Sequence, residues 1–316
     1  MARFIQIAVQ DAAAIRQEIA AGLLAHPAVI APKHFYDLLG SRLFEAICEL
    51  PEYYPTRTEA SIFAERRQEI ARATGKNRIL IDLGAGNCEK AASLFDVLQP
   101  SLYVPLDISV SFLKQAAGRL QLQFPSIPII GVGIDFSQSL ALPLDVPSGD
   151  RLFFYPGSSI GNFTPPEALA FLRRVHAACG SDGSLLIGVD LLKDPAILQA
   201  AYDDALGVTA CFNRNALQNV NRLIRADFDA GVWRHRALFD EAQSRIEMHL
   251  EALDNQIVYW DGGLRRFERG ERIHTENSCK YSREAFNALL LEAGFTDIQC
   301  WTDPRDWFMV CHARAS

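Results

Sequence analysis

The sequence predicts an α/β fold built on a mostly parallel sheet with helices on both faces. Three observations predict it. Short apolar runs alternate with helix-period segments through the middle of the chain, a glycine turn follows the first of those runs, and the chain closes on a helix and two more strand-like runs.

RILIDLG (78–84) reads as a buried strand, and helical spacing follows over 89–98. SLYVPLD, PIIGVGID, RLFFYP and SLLIGVDLL repeat the strand theme. Thr164-Pro165-Pro166-Glu167 supplies an N-cap, a proline at the first helical position and a glutamate at the third, and Gly180 marks the stop. Ser282 opens a last helix through Phe286, Leu289, Leu290 and Ala293, which Gly294 ends. TDIQCWT and WFMVCHA then read as an antiparallel hairpin added to the sheet.

Two regions fall outside the alternation. Residues 1–65 read as mainly helical, and 195–275 is too long for a plain loop, since structureless connections beyond about 15 residues are uncommon. The expected organisation is a sheet domain over 66–194 and 276–316, with 1–65 and 195–275 forming one accessory substrate-binding lobe.

Composition excludes several function classes. A net charge of −7 over 316 residues argues against nucleic acid, whose binders carry a clustered basic footprint. No apolar run approaches the roughly 20 residues that span a bilayer, and the start lacks the pattern of an export signal. The seven cysteines are odd in number and lack CxxC spacing, so they read as reduced thiols of a cytoplasmic enzyme. His34, His176, His235, His249 and His274 are scattered, and no metal is expected.

The candidate cofactor end is Asp82-Leu83-Gly84-Ala85-Gly86-Asn87. Gly84 and Gly86 let backbone N–H groups approach a ligand at the start of a helix. Glu89 stands where a dinucleotide fingerprint has its third glycine, and a carboxylate there repels a pyrophosphate. Asp107 ends the second strand, where it can accept ribose hydroxyls, and Asp135 with Phe136 follows the third, suited to an adenine amino group and ring face. Acids at successive strand ends, without a pyrophosphate site, favour S-adenosylmethionine over NAD.

One further stretch, ERIHTENSCK (271–280), places Glu276, Ser278 and Lys280 at alternate positions. In an extended segment they share a face and can meet one ligand, although a solvated edge strand shows the same pattern.

The chain resembles the histidine-specific Nα-methyltransferase family in FYDLLGSRLFEAICELPEYYPTRTEA (35–60), FYPGSSIGNFTP (154–165), AYDDALGVTACFNRN (201–215), RIEMHLEA (245–252) and HTENSCKY (274–281). The resemblance implies a Rossmann-like class I methyltransferase sheet and conversion of histidine to its trimethylated betaine, hercynine, used in ergothioneine synthesis. It implies that Asn162 and Tyr202 bind the amino acid carboxylate, and that Tyr36 and Tyr53 line the pocket near the amine and ring. Met248 would pack beside the substrate, Glu276 and Ser278 would hydrogen-bond the imidazole, and Lys280 would be structural. Asn87-Cys88 and Asn277 depart from the usual pattern; Cys88 is expected to pack at the helix start and Asn277 to face away from its neighbours. A small amino acid is thus the expected partner, with no nucleic acid or membrane, and a monomer suffices. Tryptophan or another aromatic amine is the rival substrate, and Glu276 weighs against an indole.

Overall fold

The apolar runs become strands whose alternate side chains enter two packed layers. In the computed structural model, which describes residues 2–7, 12–137 and 139–315, strands numbered in chain order fall into two compact units. The first comprises residues 1–8, 55–192 and 279–316, the second 9–54 and 193–278.

The first unit carries β1 (Arg3–Gln6), β3 (Ile79–Leu83), β4 (Leu102–Asp107), β5 (Ile130–Gly133), β6 (Arg151–Tyr155), β7 (Ser184–Asp190), β13 (Phe295–Thr302) and β14 (Phe308–Ala315). They form one eight-stranded sheet in the order β1-β5-β4-β3-β6-β7-β14-β13. The pairs from β1 to β7 are parallel, and β14 runs antiparallel to both β7 and β13. The order reverses beside β3, which puts a topological switch point, and hence a ligand crevice, at the end of the glycine-turn strand. This is the expected Rossmann-like, mostly parallel sheet, with its C-terminal hairpin inserted so that β14 lies inside and β13 forms the edge.

Alternation along each strand explains the two layers. Ile79, Ile81, Phe153, Tyr155, Leu185 and Ile187 point to one face, where they meet Phe171, Leu172 and Val175 of the helix Pro165–Cys179 and Phe286 and Leu290 of the helix Arg283–Glu292. Leu80, Tyr103, Leu152, Phe154 and Leu186 point to the other, against Ile70, Leu94, Phe95 and Leu113. The caps read from sequence form: the Glu167 carboxylate accepts the Thr164 N–H at 2.8 Å and its hydroxyl at 2.6 Å, and Ser282 Oγ accepts the Ala285 N–H.

The described residues of 1–65 are mainly helical, as expected, with Arg3–Gln6 added as a strand that pairs in parallel with β5 at the sheet edge. One expectation needs correction. The segment 89–98 is not one helix but two four-residue pieces, Glu89–Ala92 and Phe95–Leu98, joined by a turn at Ser93 and Leu94 in which the Leu94 N–H bonds the Ala91 carbonyl three residues back.

The second unit holds β2 (Ala28–Val29), β8 (Trp233–Asp240), β9 (Arg245–Ala252) and β12 (Arg272–Cys279) in a sheet of order β2-β12-β9-β8, with a separate hairpin of β10 (Gln256–Trp260) and β11 (Gly263–Phe267). The helix Val208–Ile224 buries Phe212, Asn213, Ala216, Leu217 and Val220. No helix among the described residues is long and apolar enough to cross a membrane.

His312, on β14, is buried, and neither ring nitrogen has a partner among the described residues. Burial, with Arg78 and Arg314 nearby, pushes its imidazolium down to about 4. The folded state therefore refuses a proton that the unfolded chain takes near pH 6.5, so stability is full above that pH and falls as pH drops toward 4. The expected loss by pH 5 is about 2 kcal/mol. His312→Leu should remove this part of the pH dependence in urea unfolding at pH 7.5 and 5; an unchanged slope would assign it to other groups.

Candidate active site

In the first unit the chain leaves β3 through Gly84 (φ +71°) and Gly86 (φ +54°), a conformation that glycine adopts without strain. A Cβ on Gly86 would meet nothing within 4 Å, so the turn borders open space, whereas one on Gly84 would lie 3.6 Å from the Phe136 ring. Asp107 sits against this turn: one carboxylate oxygen accepts the Gly86 N–H at 2.9 Å and the other the Ser109 N–H at 2.8 Å. Burial raises the Asp107 carboxyl, and the Ser109, Gly86 and Ile108 N–H groups oppose that rise. Asp135 Oδ1 accepts the Ser137 N–H, and Phe136 is half-buried against Tyr155 and Phe171. Open turn, anchored carboxylate and adjoining ring make a cradle that fits an uncharged nucleoside. Cys88 is buried at the helix start, as expected, in the left-handed conformation (φ 65°).

Two buried acids lie beside this cradle, Asp82 of the strand end read from sequence and Glu59, which was not singled out. Asp82 lies fully inside β3; burial lifts its carboxyl to about 7 although the Tyr103 hydroxyl donates to it at 2.6 Å. Glu59 accepts Lys90 Nζ at 2.7 Å through one oxygen and the Gly157 N–H at 2.7 Å through the other. Its carboxylate fits only because position 188 is glycine: a Cβ there would lie 2.0 Å from Glu59 Oε1. Glu59 lies inside the segment 35–60, yet nothing in its spacing signals a partner 31 residues away.

Asn162 also belongs to this unit. It ends the 3-10 turn Ser159–Asn162, half-buried, where a Cβ on Gly161 would press 2.8 Å from the Cys279 carbonyl. Lys280 pairs with Asp190 at 2.8 Å, both side chains fully buried, while the Asp190 N–H donates to Ser158 Oγ.

The second unit gathers the other candidates. The Tyr202 hydroxyl and Ser278 Oγ share a hydrogen bond of 2.6 Å, and the Tyr53 and Tyr202 rings meet edge to face at 6.1 Å. Tyr36 joins through Phe44 and Phe212, with ring centroids 5.9 and 5.6 Å away, and Phe44 reaches Tyr53 at 6.2 Å. Glu276 is 7% exposed and Ser278 4%, so this strand face is not solvated. Burial, then the neighbouring Tyr202, Cys48, Tyr36 and Glu276, pushes the Tyr53 phenol well above its ordinary range. Met248 is buried on β9, and its carbonyl accepts the Thr275 hydroxyl. Asn277 is half-buried and bonds His274 instead.

Behind Tyr202 stands His235. Its Nε2 lies 2.8 Å from the Tyr202 carbonyl and its Nδ1 2.8 Å from the Asn213 amide nitrogen. A carbonyl only accepts, so Nε2 carries the proton and Nδ1 accepts from Asn213. Burial lowers this imidazole, which keeps it neutral and holds Tyr202 without adding charge. Among the described residues no group of three or more His, Cys, Asp or Glu is placed to hold a metal.

The family described as histidine-specific methyltransferase, SAM-dependent, matches residues 15–315. The chain belongs to that family. It is 42% identical over 300 residues to a histidine N-alpha-methyltransferase of Mycolicibacterium smegmatis, covering 93% of this chain and 92% of that protein. Identity is again 42%, over 298 residues, to the protein of the same name from Mycobacterium tuberculosis, covering 92% and 91%. Ergothioneine biosynthesis protein 1 of Neurospora crassa is 32% identical over 280 residues, which are 84% of this chain and 31% of that longer protein. The protein is thus an S-adenosylmethionine-dependent methyltransferase.

Because Glu59 is buried and joins two donors, Glu59→Ala should strand the Gly157 N–H and Lys90. The expected destabilisation is about 3 kcal/mol in urea unfolding, and a change within experimental error would show that the pair is dispensable.

Proposed function

We propose that the protein transfers methyl groups to the α-amino nitrogen of L-histidine in three rounds, giving the betaine hercynine. The observation that carries this reading is the buried Glu276 on the strand whose Ser278 hydroxyl bonds Tyr202. A carboxylate and a hydroxyl together match the N–H donor and the acceptor nitrogen of an imidazole. The names of the mycobacterial relatives support the α-amino position.

When bound, S-adenosylmethionine supplies a methyl group carried on a sulfonium sulfur. In this reading Gly84 and Gly86 admit the ligand backbone-close, Asp107 takes the ribose hydroxyls, and Asp135 with Phe136 takes the adenine. Asn162 and Tyr202 take the α-carboxylate of histidine, and Met248 packs beside it. No covalent nucleophile is needed, so the residues have to orient the amine and exclude water.

The amine attacks only when neutral. A buried setting penalises an ammonium and so favours the neutral form. Tyr53, kept protonated by burial, is no base; its oxygen accepts an amine N–H without contributing a full negative charge. After each transfer fewer N–H bonds remain, and the rings of Tyr36, Phe44, Tyr53 and Phe212 offer faces to the growing cation instead. A cytoplasmic setting suits seven cysteines that read as reduced thiols.

Two measurements check the residue roles. Asp107→Ala should lower S-adenosylhomocysteine affinity roughly 10- to 150-fold in calorimetry, the worth of its charge-assisted bonds; unchanged affinity refutes the ribose role. Glu276→Ala should cost histidine about 1.5–3 kcal/mol and leave cofactor binding intact. It also removes the penalty of setting a buried anion against an indole, so tryptophan should gain on histidine in a competition assay. A constant preference ratio would remove Glu276 from substrate selection.

A further inference from the structure

Two of the seven cysteines face each other. Cys300 on β13 and Cys311 on β14 are direct antiparallel partners, and their sulfur atoms lie 2.6 Å apart. Directly opposed antiparallel residues have Cα atoms about 4.5–5.5 Å apart, inside the roughly 4.4–6.8 Å span of natural disulfides. No backbone movement is needed to join them.

The two thiols differ in a way that suits stepwise oxidation. Cys300 is exposed on the edge strand, where an oxidant reaches it, while Cys311 is fully buried in the core behind. The Cys311 hydrogen bond, and then the Arg283 guanidinium, lower the Cys300 thiol; burial first, and then Cys300, raises the Cys311 thiol. Cys300 thus supplies the thiolate and Cys311 the retained proton. Arg283 opens the helix Arg283–Glu292, whose Asn287 Oδ1 lies 3.4 Å from Cys300 Sγ.

We propose that Cys300 and Cys311 form a reversible disulfide under peroxide, a covalent clamp joining edge strand β13 to β14. The Cys300 thiolate attacks one peroxide oxygen, the O–O bond breaks, and after proton uptake the products are a sulfenic acid and water. Cys311 sulfur then attacks the sulfenic sulfur; its proton leaves with the hydroxyl as a second water, and the S–S bond forms. Each sulfur gives up one electron, and the peroxide takes both. A dithiol reductant reverses the step. The clamp matters because β13 is hydrogen-bonded only to β14 in the sheet order and its pairing is irregular between Thr296 and Gln299.

The test treats the full-length protein with stoichiometric hydrogen peroxide, blocks remaining thiols by alkylation, and reads intact mass and peptide maps. The expected result is a loss of two hydrogens, a cross-linked 300/311 peptide, two fewer alkylated thiols and full reversal by dithiothreitol. Oxidised protein should also melt at a higher temperature than reduced protein. Cys300→Ser, an exposed change that should leave methyl transfer at the wild-type rate, should abolish both the mass loss and the melting shift. Cys211→Ser, which removes the other exposed thiol, should leave both intact. The proposal is overturned if Cys300 accumulates as sulfinic acid with Cys311 still alkylatable, or if the only disulfides found are intermolecular through Cys211.

Discussion

A single buried carboxylate ties together the helix after the glycine turn, the loop after β6 and strand β7. Glu59 is 1% exposed, and its two oxygens are spoken for by the ammonium of Lys90 and the amide of Gly157. Lys90 belongs to the short helix that follows the glycine turn, Gly157 to the loop after β6, and Gly188 of β7 leaves room for the carboxylate itself. Desolvating an anion is expensive unless it is paired and hydrogen-bonded. The compensation here comes from segments that also frame the cradle, so the ion pair is satisfied only when the turn, the loop and the strand are in place together. A four-residue helix has little stability of its own, and this anchoring gives the glycine turn a defined exit.

The second unit solves a different problem with neutral groups. Tyr202 is held from behind by a histidine whose tautomer is dictated by a carbonyl on one side and an amide on the other. In front, its hydroxyl meets Ser278. The links of this chain are uncharged groups, and burial disfavours the charged form both of its His235 imidazole, which it lowers, and of the neighbouring Tyr53 phenol, which it raises. The polar groups are therefore fixed as donors and acceptors over the whole neutral range. Glu276 is the exception, an acid retained among aromatic rings, and it is the group that the proposed reading assigns to the substrate's own ring.

Much of the fold was legible in the sequence because its signals are local. The Thr164 cap with Glu167, the Ser282 cap with Gly294 and the apolar runs of β3 to β7 each follow from neighbours a few residues apart. What escaped reading depends on distant partners. Strand β1 is four residues long, only partly buried, and exists because β5 offers it an edge more than a hundred residues later. Glu59, Lys90 and His235 carry no periodicity of their own, and their importance lies in contacts across 31 and 33 positions. The alternation in 276–280 was legible, but not that both faces of the strand are covered, with Thr275 and Glu276 both buried, nor that Lys280 serves a buried pair with Asp190.

The two units also answer to opposite changes of charge in the proposed reaction. Methyl transfer from a sulfonium discharges the cofactor, while each quaternising step builds positive charge on the amine. In the first unit burial raises both Asp82 and Asp107, although Lys90 opposes the rise at the former and backbone N–H groups oppose it at the latter. In the proposed reading, acids near the sulfonium would favour the charged cofactor over its spent form. The second unit would there offer the amine phenols and phenyl rings, which accept N–H bonds early and present ring faces when none remain. A second carboxylate beside the amine would instead stabilise the unreactive ammonium before the first transfer. In that reading Asp107 stands where charge is consumed and aromatic and hydroxyl groups stand where it is made, with the buried Glu276 assigned to the substrate's ring and not to its amine.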